Sequence, residues 1–217
     1  MPLNGPRRYV TLAGPARSEV EVRRSRFVCD VAPVSTETEA RAFMEQTRAA
    51  SRDARHHCTA FVLGPDADTT RSNDDGEPSG TAGAPMLEVL RGRGLTDVAA
   101  VVTRWFGGTL LGTGGLIRAY GDVVSAAVDV ARLVTYELRT GLVVEVAGAN
   151  GPRVENALRG HPACLVTSTV WSATGLVVEV AVEPAAEELV RGLVAALTSG
   201  DGVVDAGTPS WAAVPPA

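Results

Sequence analysis

Between Arg104 and Gly121 the chain reads RWFGGTLLGTGGLIRAYG, six glycines in eighteen residues, set between an apolar run and a helical pattern. A bare turn that opens into a helix leaves backbone amides accessible where the helix dipole is positive, so an anion can approach them closely. Arg104, at the end of the apolar run, and Arg118, about one turn into the helix, would add charge-assisted contacts. The candidate anion-binding residues are therefore Arg104, Gly107, Gly108, Gly112, Gly114, Gly115 and Arg118. A purely architectural use of the same glycines, for positive φ angles and tight helix–sheet packing, competes with this reading. Two familiar nucleotide loops do not fit. A Walker A loop needs a lysine, and all 20 basic residues of this chain are arginine. A dinucleotide fingerprint would need a small third residue where Ile117 stands and an acidic residue about 20 positions further on.

The second group with chemical potential is NDDGEPSGTAG, Asn73 to Gly83, which holds Asp74, Asp75 and Glu77 among glycines. It is too short for an EF-hand and lacks the terminal bidentate glutamate. A turn closed by Asx hydrogen bonds, with Gly76 left-handed, is the expected role. RHHC, Arg55 to Cys58, raises metal-assisted hydrolysis as a possibility. Adjacent strand residues point to opposite faces, however, so at most one of His56 and His57 should reach a functional surface, and no metal is expected. No cofactor is predicted.

Charge limits the partners. Residues 1–140 carry 17 arginines against 17 acidic residues, and residues 141–217 carry 3 against 8, so the net charge of −5 falls in the second part. That lacks the overall basic footprint of a non-specific nucleic-acid binder, and any RNA contact must be local. DNA specificity is not expected. No apolar run approaches the roughly 18 residues of a membrane span, and MPLNGPRRYVTLAG has no leader pattern, so a cytoplasmic location without membrane partners is expected. Cys29, Cys58 and Cys164 are widely spaced and predicted to be buried small hydrophobes.

These residues must be positioned by a recognisable set of elements. EVEVR, Glu19 to Arg23, and SRFVCDVAPV, Ser25 to Val34, read as paired strands, and Thr36 three residues before Glu39 opens a helix running to about Ser51. HCTAFVLG is a strand, followed by a loop of some twenty residues, PDADTTRSNDDGEPSGTAGA, and a short helix, PMLEVLRG, with Pro85 in its first turn. VAAVVTRW, Val98 to Trp105, is a strand buried on both faces. After the glycine loop, Leu116, Tyr120, Val123, Ala127 and Val130 mark the apolar stripe of a helix that begins near Thr113 or Gly114. The remainder follows the order β-α-β-β-α-β, with GVVDAGTPSW as its final strand and AAVPPA as a loose tail. A length of 217 residues suits two domains. They are predicted at 1–132 and 133–217, the second with the ferredoxin-like arrangement of two helices on a four-stranded antiparallel sheet.

SRF, DARHHCTAFVLG, SNDDGEPSGTAGAPML and VVTRWFGGTLLGTGGLIRAYG, in this order, resemble the YigZ/Impact family over about Ser25 to Val130. The resemblance implies an α+β protein. Its first domain would have the β-α-β-α fold of elongation factor G domain four, and its second would be ferredoxin-like. The motif residues that match are His56, Asp74, Asp75, Gly76, Glu77, Gly83, Arg104, Gly107, Gly108, Gly112, Gly114 and Gly115. Trp105-Phe106 stands where bacterial relatives more often have tyrosines. The family supplies no agreed catalytic residues. It implies a translation-associated binding or regulatory protein that contacts RNA or a ribosome-associated protein. Two other readings stay open, an enzyme gripping a nucleotide or phosphate on the same loop with magnesium at Asp75 or Glu77, and a protein-interaction adaptor docking through the acidic second part.

Overall fold

In the computed structural model, which describes residues 7–214, the chain forms two compact units, 1–135 and 136–217. Among the described residues no helix is long and apolar enough to cross a membrane.

The first unit runs β1 (Arg8–Leu12), β2 (Ala16–Val22), β3 (Ser25–Pro33), α1 (Glu37–Ala50), β4 (His56–Leu63), β5 (Thr69–Asn73), α2 (Gly83–Gly92), β6 (Val98–Trp105) and α3 (Thr113–Val130). Its sheet has the order β2-β3-β6-β4-β5, every neighbouring pair antiparallel. The central strand β6 is the apolar run, buried along nearly its whole length because helices cover both sides of the sheet. On one face Phe27, Cys29, Cys58, Ala60, Ala100 and Val102 pack under Met86 and Leu90 of α2 and under Leu116, Tyr120 and Val123 of α3. On the other, Phe61, Leu63 and Ala99 meet Ala40, Phe43 and Met44 of α1. Thr36 caps α1 by accepting from the Glu39 amide at 3.1 Å, while Glu39 reaches back to the Ser35 amide.

Several expectations need correction. β1 and β5 were not anticipated. Thr69–Asn73 is a polar edge strand that forms a hairpin with β4, so the loop expected over residues 65–84 shrinks to residues 74–82. The sequence TTRSN lacks the alternation that marks a half-buried strand, since both of its faces are partly wet. Val130, placed on the apolar stripe of α3, is exposed in the helix's last turn. Cys164 is only partly buried, unlike Cys29 and Cys58.

The second unit contains β7 (Leu133–Ala147, entering from the end of the first unit), α4 (Gly151–Gly160), β8 (Cys164–Trp171), β9 (Gly175–Val182), a 3-10 turn (Pro184–Ala186), α5 (Glu187–Thr198), β10 (Val203–Ala206) and β11 (Ser210–Ala213). The antiparallel order β10-β7-β9-β8 is the ferredoxin-like one, with Leu142, Val144, Val178 and Val180 packed against Val154, Leu158, Val190 and Val194 of the two helices. The single final strand expected over 202–211 is two. The chain crosses Gly141 between them, at a point where a Cβ would lie 2.1 Å from the Thr208 carbonyl oxygen. The tail expected to be loose contributes Ala212 and Ala213 to β11, with Ala212 buried, and its last three residues lie outside the described residues.

Candidate functional site

The site grows from one rung of the first sheet. Arg104 of β6 stands opposite Phe27 of β3 on one side and His56 of β4 on the other. Its guanidinium lies 5.2 Å from the Phe27 ring centre and 5.6 Å from that of Phe106, and only 5% of the residue is exposed. A cation so deeply placed requires a partner. It is supplied by the acidic loop. Glu77 Oε1 accepts from Arg104 Nη1 at 2.6 Å and from the Tyr120 hydroxyl of α3 at 2.8 Å. The two loops singled out in the sequence therefore meet, joined by a buried ion pair.

The carboxylates divide into separate tasks. Asp74 accepts from the amides of Gly80, Ala82 and Gly83 at 2.8–3.0 Å, which makes it the anion at the start of α2. Partial burial pushes its carboxyl up, but these three donors together hold it below the ordinary value of 3.8. Asp75 accepts from the His57 amide at 2.6 Å and from Arg48 at 2.8 Å. The turn is closed by the Asp75 amide donating to Asn73 Oδ1 at 2.7 Å, with Asp75 and Gly76 both at positive φ. Asp75's two oxygens and Glu77 Oε1 thus each accept from a protein donor.

The aspartate at α2 carries a clear expectation. Asp74→Ala should destabilise the first unit by about 2 kcal/mol, and Asp74→Asn by much less, when urea midpoints are compared. Because the folded carboxyl titrates below its unfolded value, its contribution is complete above that unfolded value. It is lost as pH falls through the folded one, so the wild type should approach Asp74→Asn in stability only below pH 3.8.

The two histidines part as strand geometry demands. His57 is buried on the α1 side, with Nε2 donating to the Ser51 carbonyl at 3.0 Å. His56 Nδ1 lies 2.9 Å from the Asp75 carbonyl, an acceptor only, so that nitrogen carries a proton, and Nε2 lies 4.0 Å from Glu77 Oε1. Behind Glu77, Cys58 Sγ sits 3.1 Å from the Asp74 carbonyl oxygen and 3.3 Å from the Tyr120 hydroxyl. Burial, aided by the nearby carboxylates, pushes this thiol up to about 12, and burial likewise drives the Tyr120 phenol well above its usual range.

Above this floor opens a cavity of about 400 Å³, walled by Arg55, His56, Glu77, Arg104, Phe106 and the Leu110–Thr113 turn. Phe106 is 46% exposed and Leu110 82% exposed at its rim. Arg104 Nε, buried in the wall, has no acceptor among the described residues. The start of α3 has Gly112 as its cap, no side-chain cap bond and no acidic residue in its first turn.

The glycines of the loop differ in purpose. A Cβ on Gly107 would lie 2.0 Å from the Arg24 carbonyl carbon and oxygen, so close backbone approach demands glycine there. Gly108 and Gly112 have positive φ, and a Cβ on Gly115 would press on Leu111 Cβ at 3.0 Å. Gly114 has neither a positive φ nor a neighbour within 4 Å. Arg118, expected to add a contact, is exposed and does not line the cavity, because its position on α3 turns it away from the wall built by Leu116 and Thr113. Four residues escaped the sequence reading as site members. Tyr120 was read as apolar stripe, Ser25 as plain strand, and Arg55 and Phe106 carried no local signal beyond adjacency to a motif.

A sheet flanked by helices on both faces, with a partly apolar cavity at the mouth of a glycine loop, defines an α+β protein. Residues 23–128 match the Impact N-terminal domain, and the chain is similar to members of the IMPACT family. It is 50% identical over 121 residues to the IMPACT family member YvyE of Bacillus subtilis (strain 168), covering 56% of each chain. It is 46% identical over 132 residues to the IMPACT family member YigZ of Escherichia coli (strain K12), covering 60% of this chain and 63% of that one. The match thus spans little more than half the length of these relatives. A crystal structure of a hypothetical protein is similar over 94% of this chain and 98% of its own, with a TM-score of 0.68 and 33% identity.

Proposed function

We propose that this chain is a translation-associated RNA-binding protein that takes a phosphate of single-stranded or looped RNA into the first-unit cavity. The observation that supports it most directly is the wall itself. Arg104, the exposed Arg55 and the uncapped start of α3 line one space. Phe106 at the rim offers a ring on which a base can stack, the usual device for unpaired RNA. The translation-factor-like fold that the family resemblance implies for the first domain supports the cellular setting.

Arg104 is a poor test residue, because removing it strands Glu77 in the interior. Arg55 is exposed and carries no ion pair among the described residues, so its loss should leave the fold intact. Filter binding of the full chain to structured RNA and to ribosomes across a salt series should show affinity falling with salt. Arg55→Ala should weaken binding to every sequence alike and make the log–log salt slope shallower by about 1. Wild-type retention no greater than that of an unrelated acidic protein would remove the proposal.

A further inference from the structure

The turn joining β2 to β3 is a two-residue hairpin loop, Arg23-Arg24, closed by the Val22–Ser25 pair. Both residues have positive φ, +48° and +67°. A two-residue loop with both central residues at positive φ is the type I′ geometry, which favours asparagine or aspartate followed by glycine because L side chains with a Cβ are strained there. Folding alone would therefore select almost any short polar pair before two arginines. Both are exposed. A local rule broken at an exposed turn, where the one side-chain hydrogen bond among the described residues is a long one from Arg24, is the pattern expected where the side chains act on something else.

The turn's location says on what. Its backbone presses on Gly107, the contact that makes glycine obligatory there. Arg24 Nε donates to the Gly107 carbonyl at 3.3 Å, and a Cβ on Gly108 would lie 3.5 Å from Arg24 Nη2. Ser25, the next residue, ties the turn to the cavity floor. Its hydroxyl oxygen accepts from the Gly107 amide at 3.1 Å and lies 3.4 Å from Arg104 Nη2. The Arg24 guanidinium is thereby carried by a strained, stitched turn onto the flank of the glycine loop, with the exposed Arg23 preceding it in the same turn.

We infer that Arg23 and Arg24 form a second, backbone-reading part of the RNA site, contacting phosphates that flank the one held in the cavity. This rests on the RNA reading above and extends it from one phosphate to a tract. Guanidinium forks suit this work, since each can bridge two phosphate oxygens without reading the base.

The test is the double substitution Arg23→Asn with Arg24→Gly, which gives the turn the residues its geometry prefers. In the full chain it should raise the thermal midpoint by about 4 °C or more while weakening RNA binding about tenfold at 0.1 M salt and making the salt slope shallower by about 2. Opposite signs for stability and binding are the outcome a structural role cannot produce. A lower thermal midpoint would overturn the inference, because the arginines would then be supporting the turn. RNA binding by the wild type with unchanged affinity and slope in the variant would also overturn it and leave the cavity reading standing. Unchanged RNA binding with lost retention on polyglutamate would reassign the turn to an acidic protein partner. No RNA binding by the wild type would remove both readings together.

Discussion

Glu77→Ala should cost the first unit about 3–5 kcal/mol, read as the shift in urea midpoint of the full chain, because it leaves a buried guanidinium without its counter-charge. Arg104 is 5% exposed and its remaining bond is a long one to Ser25. Tyr120, with the thiol of Cys58 beside it, loses its acceptor in the same step. With native stabilities of about 5–15 kcal/mol, such a loss is a third or more of what holds a domain together. Glu77→Gln keeps an oxygen for both donors and removes only the charge, so its cost should be smaller, about 1–3 kcal/mol. A Glu77→Ala variant within about 1 kcal/mol of wild type would mean that water replaces the carboxylate and that the floor is wetter than its geometry indicates.

The second large effect belongs to Gly107. A methyl group there would lie 2.0 Å from two backbone atoms of Arg24 and 2.4 Å from the Ser25 nitrogen, and none of these is a flexible side-chain end that could turn aside. Gly107→Ala must push the β2–β3 turn away from the loop, breaking the bonds through Ser25 that hold both, at an expected cost of about 3 kcal/mol. Gly114→Ala is the matched control. With open space around it and an ordinary helical φ, that substitution should be neutral or stabilising by up to about 1 kcal/mol. Equal losses at the two positions would show that glycine content, rather than the contact at Gly107, governs the loop.

How far the molecule could be read in advance followed from where the information lies. β6 and α3 were legible because burial on both faces and a helical stripe leave long periodic traces, and the ferredoxin-like second unit followed from the order of its elements. β5 was hidden because an edge strand with both faces partly wet has no period to detect. The glycine loop and the acidic loop were each visible, but their junction was not. Arg104 and Glu77 are 27 positions apart, and only the alignment of β4 between β5 and β6 brings them together. The pairing also reassigned Arg118, since helical phase and not proximity in sequence decides which side chains enter the cavity. Arg23 and Arg24 escaped for a different reason. Their meaning lies in a backbone angle, which residue types alone do not reveal.

Two helices of the first unit satisfy their starts differently. At α2 the chain furnishes its own negative charge in Asp74, clasped by three amides. At α3 the cap is Gly112, with no side chain to do the same. The protein thus contains an internal yardstick. The loss measured on deleting the resident carboxylate at α2 sets the scale of what a visiting phosphate can gain at α3, and a guest whose binding greatly exceeds that scale must draw the surplus from the arginines around it.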